Sequence, residues 1–306
     1  MPKLDSYQGI PLLFSEVAAL KTLEQELGRV IPYMATNDTD LGFSAEEYHV
    51  RALALDNQGV NYLPETLGNL RALQKLQVGR NQLRMLPKTF DQLTQLVELD
   101  LFENQLSALP ESFGQLRALE WLSLIDNQLK SLPESFSQLS ALQTLFLTRN
   151  QLHPPLNPLL QLSGLTNLSL AENQLRTLPE MFGHLANLKE LSLWGNQLIS
   201  LPETFGNLRA LEILYLDENQ LTSLPHSFSN LNNLQILHLG GNQLSTLPES
   251  FGHLTNLEWL SLSNNQLKSL PKSFGALTNL KELYVDKGLQ SLPVIKKLKK
   301  KSCKID

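Results

Sequence analysis

Ser261, His238 and Asp217 are the residues whose types could do nucleophilic chemistry together. A serine, a histidine and an acid are the components of an acyl-transfer triad. In the pattern derived below they fall on three consecutive strands of an open sheet, which supplies no evident oxyanion hole or closed pocket. Cys303, the only cysteine, sits among lysines that could lower its pKa, but no base is placed beside it. The chain has no glycine-rich phosphate loop, no His/Cys metal spacing and no nucleophile elbow. We therefore expect no enzyme, no cofactor, no metal and no small-molecule substrate.

Charge points to a different kind of partner. The net charge is −5, but the last eleven residues, KKLKKKSCKID, carry six Lys and one Asp, or +5, which leaves −10 on residues 1–295. An acidic body argues against nucleic acid, which requires a basic surface. No apolar run approaches the length of a membrane span. The N-terminal stretch MPKLDSYQGIPLLFSEVAAL is interrupted by Pro11 and Ser15 and does not read as a signal peptide. One cysteine allows no intrachain disulfide, so a reducing, cytoplasmic setting is expected. The sequons at Asn37 and Asn167 are then chance matches.

The elements that position these side chains follow from a repeat. LEWLSL occurs at Leu119–Leu124 and again at Leu257–Leu262, 138 residues apart, or six times 23. Val50, Leu73, Leu96 and every 23rd residue to Leu280 open a unit reading LxxLxLxxNQLxxLPxxFxxLxx. There are ten full repeats from residue 50 and a modified eleventh to about Leu298. The LxxLxL step has period 2 and predicts a short strand. Strands of successive units can stack as a parallel sheet, with the leucines and the Phe at position 18 inside. The Asn at position 9 (Asn81 to Asn265) is expected to satisfy backbone groups where the chain turns inward. Leu-Pro at positions 14–15 opens the other side of the repeat.

These residues resemble the leucine-rich repeat family, specifically its 23-residue intracellular type, seen in plant intracellular Ras-group-related proteins and bacterial Roco-type domains. The resemblance covers about four-fifths of the chain. It implies an α/β solenoid: a right-handed horseshoe with a concave parallel β-sheet and short convex helical or extended segments. It fixes a fold and leaves function to the site.

Both ends of such a stack expose core and need covers. Residues 1–49 are expected to form an N-terminal cap, with a helix over about 15–28, N-capped by Ser15, and a loop over 31–49. The solenoid is expected over 50–298, with Ile295 and Leu298 covering its end, and a solvated basic tail over 299–306. The repeat opened by Leu142 reads NQLHPPLNPLLQL and predicts an altered convex path; the eleventh, with Gly288 near the Asn position, reads as a terminal repeat.

Side chains alternate across a strand, so positions 3, 5, 7 and 8 face away from the leucines. All three tryptophans fall there: Trp121 and Trp259 at position 3 and Trp194 at position 7. Phe102, Ile125 and Phe146 are expected around Trp121, and Tyr215, His238 and Tyr284 with Trp194 and Trp259. These aromatics either anchor a partner or simply pack against cross-strand neighbours. The same face carries fourteen Asp/Glu against seven Lys/Arg over positions 2, 3, 5, 7 and 8, which would steer a basic or mixed basic and apolar protein. Its acids include Asp100, Asp126, Asp217 and Glu218. The expected function is non-enzymatic protein–protein interaction through this face. The alternative is a structural or regulatory scaffold that docks through its convex side or basic tail.

Overall fold

The computed structural model describes residues 3–34, 40–300 and 303–305. Asn37, Lys301, Ser302 and Asp306, which figured in the sequence reading, lie outside them. The chain divides into two units, residues 1–151 with 156–162, and residues 152–155 with 163–306. The division falls within the proline-rich repeat opened by Leu142.

The first unit begins with a hairpin, β1 (Leu4–Tyr7) and β2 (Ile10–Leu13), followed by helix α1 (Phe14–Leu27). Gly28 stops the helix in the left-handed conformation, φ +65°, that glycine adopts without steric cost. The N-cap is Leu13 with no side-chain bond, so Ser15 lies inside the first turn and does not cap it. Glu16, buried in that turn, holds the helix to the first repeat: it accepts the Val50 N–H at 2.9 Å and meets His49 Nδ1 at 3.0 Å. The expected loop over 31–49 contains a strand instead. β3 (Leu41–Glu46) pairs antiparallel with β4 (His49–Leu55), and residues 32–34 bond to Phe43 in turn. Without these pairings β4 would leave a row of buried donors and acceptors unsatisfied.

Parallel strands β5 (Lys75–Gln77), β6 (Glu98–Asp100), β7 (Trp121–Ser123) and β8 (Thr144–Phe146) continue from β4 in register, each leucine opposite the next. In the second unit, β9 (Asn167–Ser169), β10 (Glu190–Ser192), β11 (Ile213–Tyr215), β12 (Ile236–His238), β13 (Trp259–Ser261) and β14 (Glu282–Tyr284) do the same. After helix α2 (Pro293–Lys299), with Ile295 and Leu298 buried, β15 (Lys304–Ile305) pairs with β14. The C-terminal segment is therefore not wholly a solvated tail: Cys303 is buried and Lys304 stands opposite Glu282.

The ten full repeats turn in the same way. Position 8 is left-handed at Asn57, Arg80, Glu103, Asp126, Arg149, Glu172, Glu218 and Asn264, and at Gly195 and Gly241. Side chains other than glycine resist this conformation. Bonds to the next repeat hold it, such as Arg80 N–H to the Phe102 carbonyl at 2.8 Å. The position-9 Asn then bridges two repeats. Asn127 Oδ1 accepts the Leu106 N–H at 2.9 Å, and its Nδ2 donates to the carbonyls of Leu101, Leu124 and Ile125 at 2.9–3.2 Å. Asn219 does the same for Leu198, Leu193, Leu216 and Asp217. At the last repeat the Asp286 carboxylate accepts the Asn264 and Asn265 N–H groups, whose counterparts in earlier repeats go to carbonyls of the next repeat.

Opposite the strands, Pro-led 3-10 turns carry the position-18 phenylalanines inward. Phe90, Phe113 and Phe136 stack nearly parallel in the first unit, and Phe182, Phe205 and Phe228 in the second. Turns of neighbouring repeats pass so closely that a Cβ at Gly114 would collide with the Ser135 carbonyl.

Candidate functional site

The open strand face is built from positions 3, 5 and 7, and its chemistry depends on which side chains neighbouring strands place side by side. The two tryptophans at position 3 are each followed by a serine at position 5. Ser123 and Ser261 are buried, at 2% and 9% exposure, whereas Ser169 and Ser192, preceded by Asn167 and Glu190, are half-buried. An indole two residues earlier and an aromatic ring at position 5 of the next strand shield the serine. The ring is Phe146 for Trp121, centroids 5.9 Å apart and edge-on, and Tyr284 for Trp259, at 5.1 Å. Trp121 and Trp259 are thus half-buried, while Trp194 is 37% exposed.

In the second unit the rings form a continuous row. Tyr215 lies 4.7 Å from His238, His238 stacks on Trp259 at 3.9 Å and 21°, and Trp259 meets Tyr284. His238 Nδ1 is 3.4 Å from Asp217 Oδ2, and Asp217 Oδ1 accepts the Gly240 N–H at 2.9 Å. Two members of the serine–histidine–acid set are therefore in contact. The imidazole, however, is held between Tyr215 and Trp259, and Ser261 is buried. The phenol of Tyr284 donates to Glu282 at 2.7 Å, and that bond, with burial, raises its pKa. Burial raises Tyr215 as well, with the Glu190 and Asp217 carboxylates adding to it. Glu218 is exposed on the left-handed turn after the strand.

The first unit is arranged differently. Lys75, Gln77, Glu98, Asp100 and Trp121 line a depression of about 350 Å³. Lys75 pairs with Glu98 at 3.0 Å, Arg149 with Asp126 at 3.5 Å, and Arg80 with Glu103 at 3.9 Å. Asp100 accepts the Phe102 N–H at 3.1 Å; burial lifts its pKa against that bond and one from Ser123. Phe102 does not join Trp121: its ring lies where a Cβ on Gly79 would be, with the Arg80 guanidinium 5.0 Å above it. Ile125 is half-buried at position 7 of the same repeat as Trp121. Asp100, Asp126 and Asp217, expected to steer a partner, all hold internal partners.

Two acids escaped the sequence reading. Asp56, buried at position 7 of the first repeat, accepts the Gly79 N–H at 2.5 Å, and burial pushes its carboxyl up to about 6. Its position on the repeat template was the available signal. Glu16 gave none, because its partner His49 is 33 residues away. Among the described residues, no group of three or more His, Cys, Asp or Glu is placed to hold a metal ion. No helix among them is long and apolar enough to cross a membrane.

Comparison with known proteins gives a consistent result. A family model described as leucine rich repeat matches residues 49–106, 108–152, 201–244 and 245–287, and a second of the same description matches 187–208. A leucine-rich repeat protein of Leptospira interrogans is 36% identical; the match covers 84% of this chain and 72% of that one, with a TM-score of 0.74. An internalin from Listeria monocytogenes, 24% identical over 79% and 69% of the two chains with a TM-score of 0.69, shares the fold. The plant peptide hormone receptor RGFR1, solved in complex with RGF2, is 30% identical over 81% of this chain but only 42% of its own, with a TM-score of 0.67. A comparison with curated proteins gives no match. The repeats, the asparagine bridges and these matches agree: the chain belongs to the leucine-rich repeat family, whose domains generally mediate protein–protein interaction.

Proposed function

We propose that the protein is a non-enzymatic recognition module that binds a protein partner on its open strand face. One observation carries this reading: all three tryptophans stand on the face that the leucine core does not use, with Trp194 exposed and Trp259 part of a row of half-buried rings in the second unit. Rings that present apolar area at little entropic cost are favoured interface anchors. The proposed contact residues are Phe146, Trp194, Tyr215, Trp259 and Tyr284, with Trp121 beside the first-unit depression. The resemblance of the 23-residue unit to intracellular repeats, with the single cysteine, leads us to propose a cytoplasmic setting.

The test is affinity capture from source-cell lysate with the wild type and a Trp121/Trp194/Trp259→Ala variant shown by circular dichroism to be folded. The captured protein should be lost from the variant. Full retention would move recognition to another surface, with the convex side and the basic C-terminal segment next in line.

A further inference from the structure

We infer that the second unit binds its partner through an arginine side chain, held where the aromatic row ends at Tyr215. The inference rests on the strand-face reading above and names the chemistry of the partner.

The row Tyr284, Trp259, His238, Tyr215 is a set of rungs, each covering the next across β14 to β11. It stops at β10. There the residue opposite Tyr215 is Ser192, a side chain too short to cover a ring, and position 3 holds Glu190 where the covered serines have tryptophan. The side of Tyr215 away from His238 therefore faces a small residue flanked by a carboxylate. Trp194, 37% exposed, stands at position 7 of the same repeat.

The charge of the neighbourhood selects the occupant. Over positions 3, 5 and 7 of the repeats containing β10 to β14 there are four acids, Glu190, Asp217, Glu282 and Asp286, and no lysine or arginine. Both Glu190 and Asp217 act on the Tyr215 phenol. Glu190 is held in place by Asn167, whose Nδ2 donates to Oε2 at 3.1 Å. A planar cation fits this arrangement. It can stack on an aromatic face and give paired hydrogen bonds to a carboxylate, which a guanidinium does and an ammonium does not. An acidic segment would be repelled, and a purely apolar one would desolvate the carboxylates without bringing a charge to offset that cost.

The test uses a blocked Arg-Gly-Arg-Gly-Arg peptide and its citrulline counterpart, which keeps the shape and loses the charge. Binding is read by calorimetry and by Trp fluorescence on the full chain. The arginine peptide should bind with a Kd below about 1 mM and weaken as salt is raised. The citrulline peptide should bind at least about tenfold more weakly, and Glu190→Gln, which preserves shape and folding, should cost the arginine peptide at least about fivefold. Tyr215→Leu should weaken it as well, whereas Lys75→Met in the first unit should not change it. No binding at 1 mM (about the weakest affinity worth assigning), equal affinity for citrulline, or an unaffected Glu190→Gln variant would overturn the inference. A lysate partner still lost from the triple tryptophan variant would then leave the strand-face reading standing. A partner retained by that variant would remove both.

Discussion

The hexapeptide LEWLSL at Leu119–Leu124 and its identical copy at Leu257–Leu262 are the same strand in two surroundings. In both, the leucines are buried, the tryptophan stands at position 3, the serine is shielded, and an aromatic ring follows on the next strand. The preceding strand differs. It places Asp100 beside the first copy and His238 beside the second. The first copy lies next to a depression whose charges are largely paired within the face; the second is one rung of a row of rings bordered by acids that meet few bases. The repeat thus fixes the scaffold, and the variable positions one period away decide what the same tryptophan can do.

The scaffold should be the costliest thing to disturb, and equally so in both units. Asn127→Ala and Asn219→Ala each strand one backbone N–H and several carbonyls in a buried turn. Each should cost about 2–3 kcal/mol in urea denaturation. Asn57→Ala, exposed and outside the bridge, should cost no more than about 1 kcal/mol, the strain of alanine in a left-handed turn. Matching losses for Asn57 and Asn127 would break the repeat register used throughout.

Next come the two tryptophans, where the copies should part. Trp259 has rings on both sides and Trp121 has one edge-on contact. Trp259→Ala should therefore cost about 2 kcal/mol and Trp121→Ala about 1 kcal/mol. The reverse order would mean that the row of rings does not contribute to folding stability.

A third difference concerns pH. The folded pKa of Asp56, about 6, lies above its ordinary 3.8, so the native state binds the proton more tightly than the unfolded chain. Its contribution to stability therefore rises as pH falls from about 6 toward 4 and is unfavourable at pH 7. Asp56→Asn, which can still accept the Gly79 N–H, should stabilise by about 1 kcal/mol at pH 7, and the gain should vanish by pH 4. A gain that is independent of pH would contradict the assignment. The smallest effect is expected from the surface pair of half-buried Lys75 and exposed Glu98: Lys75→Met should change stability by about 0.5 kcal/mol or less, and less still in high salt.

The solenoid was legible because a 23-residue period assigns each residue a side before any contact is known. The helical cap over Phe14–Leu27 was legible from the spacing of Val17, Leu20 and Leu23. Strands β1 to β3 and β15 were not, since segments of two to six residues without alternation carry no periodic signal. The face was legible as a set of positions and, for Phe146 with Trp121 and for Tyr215, His238 and Tyr284 with Trp259, as neighbours; Phe102 was not. Phe102 turns to Gly79, one period upstream, because only glycine leaves room there. Position 5 down the repeats carries serine after both tryptophans and a ring one repeat later, which is the signal for the two shielded serines. The pairing of Asp126 and Asp217 was hidden because their partners, Arg149, His238 and Gly240, lie on the next repeat.

The central claim is that partners meet the strand face. Trp194 on that face and Met181 on a 3-10 turn are similarly exposed, 37% and 43%, so reactivity alone does not favour either. A photo-crosslinking amino acid placed at each position in turn, followed by irradiation in source-cell lysate, reads the face directly. The account predicts a specific crosslinked partner from position 194 that is absent from position 181. Crosslinking of that partner from position 181 and not from 194 would contradict it.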